Sequence, residues 1–446
     1  MARKRWMIWA GWGASVWCGG GVAAALFFGD STKPYFLPGQ TTHGHHQIEL
    51  KCSECHTPFG GVKDDACNRC HAAELAAVRD SHPKSKFTDP RNAELLTHLD
   101  AARCVTCHRE HVPHVTQAMG VTQPPDYCLH CHAEIAEERP SHKGMAFDTC
   151  ATAGCHNFHD NTALYEDFLA KHLHDAPTRA DGVRLLPVST PSTDAALTAT
   201  AATVPAGVAL DAAVVSDWAA SAHAHGGVNC VDCHQGGDAA AAWTPKPDHA
   251  SCARCHASEA EGFLASRHGM RLAAGLSPMT PAQAVLPMRA DAAHREMSCN
   301  ACHSAHRHDT RRAAVDACLA CHDDDHSRAY LSSPHYALWQ AELSGAGAPG
   351  SGVSCATCHL PGEMHRENGR DVIRVQHNQN ANLRPNEKMI RSVCQQCHGL
   401  GFAIDALADR PLIDRNFTGQ PAAHVESLDL VLRRLTERQQ RTTKPQ

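Results

Sequence analysis

The chain has 446 residues, 23 of them Cys and 35 His, with 5% aromatic residues and a hydrophobic fraction of 43% that leans on Ala. Length suggests about two or three domains, yet the large side chains that fill cores of that size are scarce, so something else must occupy the interior. A formal net charge of -6 argues against a basic nucleic-acid binder, and the cysteine load argues against a disordered chain.

In chain order, residues 1–28 come first. Arg3, Lys4 and Arg5 precede an uncharged stretch from Trp6 to Phe28, long enough to span a bilayer as a helix. The basic flank should remain cytoplasmic and send the rest of the chain outward. The rival reading is a cleaved signal peptide with Ala23 and Ala25 as an A-x-A-like site, but the apolar run continues through Leu26, Phe27 and Phe28. A retained single-pass anchor in the cytoplasmic (inner) membrane is expected, followed by a neck over 29–48. Cys18 follows Trp17, where a lipoprotein cleavage site would want a small residue, and reads as a small apolar residue of the anchor.

The other 22 cysteines form eleven pairs, each followed at once by His. Five pairs lie in 49–174: Cys52/Cys55/His56, Cys67/Cys70/His71, Cys104/Cys107/His108, Cys128/Cys131/His132 and the stretched Cys150/Cys155/His156. Six lie in 215–400: Cys230/Cys233/His234, Cys252/Cys255/His256, Cys299/Cys302/His303, Cys318/Cys321/His322, Cys355/Cys358/His359 and Cys394/Cys397/His398. C-x-x-C-H is the attachment signature of c-type haem. Two thiols form thioethers to the vinyl groups, and the adjacent imidazole becomes the proximal iron ligand. Zinc ribbons and disulfide frameworks also pair cysteines, but neither needs a His after every second one. Eleven such coincidences have a chance probability on the order of 10⁻¹². Eleven covalent c haems are therefore expected, on an exported chain.

Between the two groups, residues 175–214 are rich in Ala, Thr and Pro, contain no Cys, and read as an exposed linker. Residues 215–400 divide into three dihaem repeats. Each begins with Ser-x-His (Ser221/His223, Ser266/His268, Ser333/His335) and reaches an apolar residue (Val228, Met297, Val353) two places before its first motif. In the tail, 401–446, Leu428, Val431, Leu432 and Leu435 mark a helical packing face after Ser427. The expected fold class is mainly α with much irregular chain: a pentahaem and a hexahaem domain organised around packed haems, plus the N-terminal transmembrane helix. With about 40 residues per haem, the macrocycles supply most of the apolar surface to be buried.

Twenty-four histidines remain for the distal positions. The placement singles out His43, His45, His46, His82, His98, His111, His142, His159, His223, His268, His294, His306, His335, His365 and His377. Three of these complete C-H-x-x-H (His108/His111, His156/His159, His303/His306), where the second His is expected on a similar face to the first. His130, inside its own motif, reads as a non-ligand, and the Met residues show no repeated offset.

The C-H-x-x-H pairs and the stretched motif of the first domain resemble the class III, bis-His, low-potential multihaem cytochromes c. Ser-x-His ahead of Gly227–His234 and Gly352–His359 (G-V-x-C-x-x-C-H) resembles the multihaem core of pentahaem nitrite reductases and octahaem hydroxylamine oxidoreductases. These resemblances imply closely packed, mostly bis-His haems that relay electrons. The C-x-x-C-K motif of many nitrite reductases is absent, and none of the five Tyr is assigned a crosslinking role.

The reading with the fewest assumptions is a non-catalytic periplasmic electron carrier of a respiratory chain. Haem propionates would add roughly 11 to 22 negative charges, favouring redox partners with positively charged docking surfaces. A quinol dehydrogenase or other respiratory complex is a candidate partner; nucleic acid is not. Two alternatives stay open: an oxidoreductase acting on a small nitrogen or sulfur compound at one five-coordinate haem, and a quinol-oxidising membrane module. No catalytic residue is assigned.

Overall fold

The computed structural model describes residues 9, 11–22, 32–139, 142–144, 156–161, 164, 166–179, 196–237, 241–367, 369–383 and 388–442. Short helices joined by irregular chain dominate, as expected from the composition; the longest described are Asp64–Ala77 and Ser427–Thr442. Among the described residues strand is confined to two antiparallel hairpins, His56–Thr57 with Gly61–Val62, and Gly362–Glu367 with Arg370–Val375. The second hairpin runs in register from Gly362 opposite Val375 to Glu367 opposite Arg370.

Local capping explains why the helices are short. Helices Cys230–His234, Cys299–His303 and Cys355–His359 each start at a first motif cysteine and stop at its histidine. Asn229 and Asp232 close one as a capping box, and Ser354 and Thr357 close another. Each motif is thus a single helical turn or slightly more, with thiols and imidazole leaving it together.

The chain falls into two compact units. One comprises 1–69 and 103–123, the other 70–102 and 124–446. In the first, Glu110 gathers the neck. It accepts from Thr42 N at 2.5 Å and Thr42 Oγ1 at 3.0 Å, and lies 2.6 Å from His45 Nδ1. Within the expected anchor, residues 11–22 are helical and expose Trp12, Val16, Trp17 and Val22. Residues 6–8, 10 and 23–28 lie outside the described residues. Among the described residues no helix is long and apolar enough to cross a membrane.

The second unit has two small apolar clusters. In the larger, Leu428 meets Leu164, Leu169, Ile390, Leu400, Ala403 and Ile404, with Val431 against them. The apolar stripe of helix Ser427–Thr442 is therefore a packing face. The smaller cluster joins Val315, Tyr330 and Trp339.

The described ends of 175–214 make hydrogen bonds to neighbouring segments. Arg179 N donates to Cys397 O at 2.7 Å, and His398 Nδ1 lies 3.0 Å from Pro177 O. The approach is so close that a Cβ on Gly399 would sit 2.5 Å from Ala176 O. Further on, Leu197 N donates to Ala224 O, and Thr203 N to Asn229 Oδ1, both at 2.8 Å. Backbone hydrogen bonds dock both ends of this segment; residues 180–195 lie outside the described residues.

Candidate haem centres

Nine of the eleven motif histidines face a second imidazole across a nearly constant gap. In the first unit His56 and His111 have ring centres 6.4 Å apart. In the second, residues 70–160 bring His132 to 6.1 Å from His82 and His156 to 6.0 Å from His142. Across the dihaem repeats, His234 faces His306 (6.2 Å), His256 faces His223 (6.0 Å) and His303 faces His377 (6.2 Å). His322 faces His268 (6.3 Å), His359 faces His326 (6.1 Å) and His398 faces His335 (6.3 Å). Direct stacking would bring rings closer. Metal–imidazole bonds of about 2.0 Å on both sides of an iron, plus about 1.1 Å from each nitrogen to its ring centre, separate two axial imidazoles by about 6 Å. The pairs therefore fit a haem iron between them.

The second nitrogen of many of these rings is tied down, as metal-binding imidazoles require. His111 Nδ1 lies 2.8 Å from Gly39 O, His234 Nδ1 2.7 Å from Thr244 O, and His377 Nδ1 2.9 Å from Val375 O. His82 and His326 make the same contact with Phe158 O and Ile413 O. A carbonyl can only accept, so each Nδ1 carries the proton and Nε2 is left for a metal. Burial, reinforced by the facing imidazole, pushes His268, His303, His335 and His359 down to about 4. They stay neutral at physiological pH, the form that ligates.

The Ser-x-His element has a local cause. Ser221, Ser266 and Ser333 are buried at each repeat's start. Ser221 Oγ accepts from Ala224 N at 3.2 Å and Ser333 Oγ from Tyr336 N at 3.1 Å. Ser266 Oγ donates to Phe263 O at 2.6 Å and accepts from His268 N at 3.2 Å. Each serine fixes the turn that presents its histidine. Three residues before each stands a buried aromatic, Trp218, Phe263 or Tyr330. Trp218 Nε1 donates to Val228 O at 3.0 Å and Tyr330 Oη to Val353 O at 2.8 Å, fastening the Ser-x-His turn to the residue two places before the motif. This aromatic-x-x-Ser-x-His repeat is visible in the sequence once the three segments are superposed, and was not among the expected features.

The pairing follows a rule. Each Ser-x-His histidine faces the second motif of its own repeat: His223 with His256, His268 with His322, His335 with His398. First motifs take their partner from the following repeat, His234 from His306 and His303 from His377. The third repeat has none after it, and His359 turns back to His326 in the second. Thiol contacts run the same way: Cys252 hydrogen-bonds Cys299, and Cys318 hydrogen-bonds Cys355, each joining one repeat's second motif to the next repeat's first. In the first unit Cys67 meets Cys104 similarly. Burial, then Asp64, pushes the Cys104 thiol up to about 12.

The second cysteines of the motifs differ in exposure. Cys70 and Cys255 are exposed, and Cys358 is half-buried. The cause is local. Helix Asp64–Ala77, which carries Cys70, buries none of its residues, so the polypeptide gives that thiol no apolar cover. Cys255 lies in the break between helices His249–Ala253 and Ala257–Ala265. Cys358 is fixed through its backbone, its carbonyl accepting from Asn382 Nδ2. Burial, then the nearby Cys358, pushes the Cys394 thiol up to about 12.

Four expected distal ligands lie beside a carboxylate, as motif His71 does. His45 pairs with Glu110 at 2.6 Å, His46 with Glu49 at 3.3 Å, His159 with Asp80 at 3.1 Å and His365 with Glu363 at 3.7 Å. The side chain of His98, like Cys150 and Cys155, lies outside the described residues. His71 Nδ1 lies 3.0 Å from Glu74, and His108 Nδ1 3.3 Å from Gly120 O. His326 was not expected; four residues after His322, it escapes a search for C-H-x-x-H. In two C-H-x-x-H motifs the second His faces the imidazole of a different motif. His111 and His306 have φ of 64° and 68°, so the chain reverses at each and aims the ring at another motif. Methionine serves as wall: Met279, Met288 and Met297 line the cavity that His268 and His322 share.

Paired imidazoles beside C-x-x-C-H motifs are the arrangement that covalently attached haem requires. Residues 44–133 match the family model for cytochrome c3, which makes that segment similar to a multihaem electron-transfer cytochrome with covalent haem. Neither the curated proteins nor the solved structures contain a match.

Proposed function

We propose that the whole chain is an exported electron relay with eleven covalent haems, held to the inner membrane by residues 6–28 and working in the periplasm within a respiratory chain. The nine imidazole pairs carry this reading, because an iron held by two histidines has no vacant position for a substrate. When bound, haem supplies a one-electron ferric–ferrous couple. The protein's own residues hold it. Motif cysteines would tether the ring, paired histidines would fix the axial direction, and carbonyls on Nδ1 keep His82, His111, His234, His326, His377 and His398 in the ligating tautomer.

The same role is assigned to 215–400, whose resemblance to nitrite reductase and hydroxylamine oxidoreductase cores is then one of haem packing. Propionate charge points to redox partners with basic docking faces, a quinol dehydrogenase among the candidates. The exposed Trp and Val of residues 11–22 suit a lipid-facing helix.

Purified holoprotein tests this. Intact mass should exceed the polypeptide by about 6.8 kDa, the ferric spectrum should be almost wholly low-spin, and ferrous protein should bind little carbon monoxide. A high-spin signal worth one haem, responsive to nitrite or hydroxylamine, would overturn the relay in favour of an enzyme.

A further inference from the structure

Beyond the last motif the chain carries no further haem site, yet residues 409–423 fold into a tight knot. Asp409, 4% exposed, accepts from Leu412 N at 3.0 Å and Ala422 N at 2.7 Å, holding both ends. At its turn, Asn416 and Phe417 have φ of 49° and 57°. Two successive non-glycine residues in the left-handed region cost free energy that the surroundings must offset, and Phe is among the residues least suited to it.

The strained turn meets two distal imidazoles. The Phe417 ring centre lies 6.3 Å from that of His326 at 88°, and 6.0 Å from that of His335 at 60°. Asn416 Nδ2 donates to His326 O at 3.1 Å and lies 3.2 Å from its Nε2. Ile413, in the same knot, accepts from His326 Nδ1. Asn416 itself is 7% exposed.

We propose that the Asn416–Phe417 turn is a positioning device that sets the ring planes of His326 and His335, and so the axial-ligand geometry of the haems at His359 and His398. This rests on the bis-His reading. Phe417 stands against both rings and restricts their rotation about the iron–nitrogen axis. Ile413 and Asn416 hold His326 alone, through its proton and its backbone. The amide contact to Nε2 yields to iron when haem is attached; the contact to the carbonyl remains. Left-handed strain is retained because a relaxed turn would withdraw the aromatic ring from both imidazoles.

Low-spin electron paramagnetic resonance reports the angle between two axial imidazole planes haem by haem, while a merely structural role would leave those signals in place. Phe417→Leu keeps apolar bulk, and Asn416→Gly keeps the left-handed backbone while removing the amide. In holoprotein with unchanged haem count, Phe417→Leu should shift two low-spin signals and Asn416→Gly one of the same two. Unchanged signals in both variants, or a uniform shift of all haems, would overturn the positioning role. A wild-type spectrum lacking bis-His signals would instead overturn the ligation reading beneath it, and the positioning role with it.

Discussion

Gln379 reaches His268 through the fold, its side-chain amide 3.1 Å from the imidazole Nδ1, while Gln379 Oε1 is buried without a partner. Turning the amide by half a rotation brings Oε1 to the Nδ1 proton and satisfies both groups. Gln379 then does for His268 what a backbone carbonyl does for His111 or His377.

Gln379→Leu should therefore leave the His268 proton buried without an acceptor. The expected cost is about 1–3 kcal/mol of stability, read by denaturant unfolding. A less basic ligand should also raise the midpoint potential of the haem at His322, measured by spectroelectrochemical titration.

Ser266→Ala removes two hydrogen bonds from a fully buried hydroxyl. A loss of about 1–3 kcal/mol is expected, with a high-spin fraction appearing at the haem of His322 as His268 loses its fixed turn. Ser333→Ala should act in the same way on the haem of His398.

His326→Ala should open one iron, at His359, giving one haem-equivalent of high-spin signal and of carbon monoxide binding. His365→Ala, removing an exposed histidine beside Glu363, should leave the spin state unchanged. Reversal of these results would refute the pairing.

The Asp405 carboxylate, then Asp429, raises the pKa of His424 above its ordinary value, at distances of 2.9 and 3.2 Å. Raised in the folded state, the group stabilises the docked C-terminal helix fully below its unfolded pKa of about 6.5, and that contribution disappears as pH rises through the folded value. Hydrogen exchange in Ser427–Thr442 should accelerate on going from mildly acidic to alkaline pH, and His424→Asn should flatten that dependence.

The sequence disclosed the centres unevenly, for physical reasons. A covalent cofactor imposes a rigid spacing on Cys and His, so the proximal half of each site is written locally. A buried serine that caps a turn also leaves a mark, which is why His223, His268 and His335 were legible. His377 and His326 depend on how separate segments meet. His377 is placed by the strand Arg370–Val375 and by Gly262, where a Cβ would lie 3.2 Å from His377 N. His45 and His46 stand near a motif in the sequence, whereas the carboxylate beside His45 comes from Glu110, far along the chain. The contacts at the ends of 175–214 could not be read from the sequence, because backbone hydrogen bonds such as Arg179 N to Cys397 O have no side-chain signature.

Partner exchange between repeats bears on how such a chain matures. A polypeptide crossing a membrane emerges in order, and haem is fastened to it as its motifs appear. The imidazole facing His234 belongs to residue 306, and the one facing His303 to residue 377. On the ligation reading, the first motif of each of these two repeats passes through an interval in which its iron is attached on one side and unguarded on the other. Only the third repeat, whose first motif looks back to His326, finds its partner already delivered. On that reading His234 waits for residue 306 and His303 for residue 377, and a chain cut short after either repeat would leave the first motif of its last complete repeat open on one side.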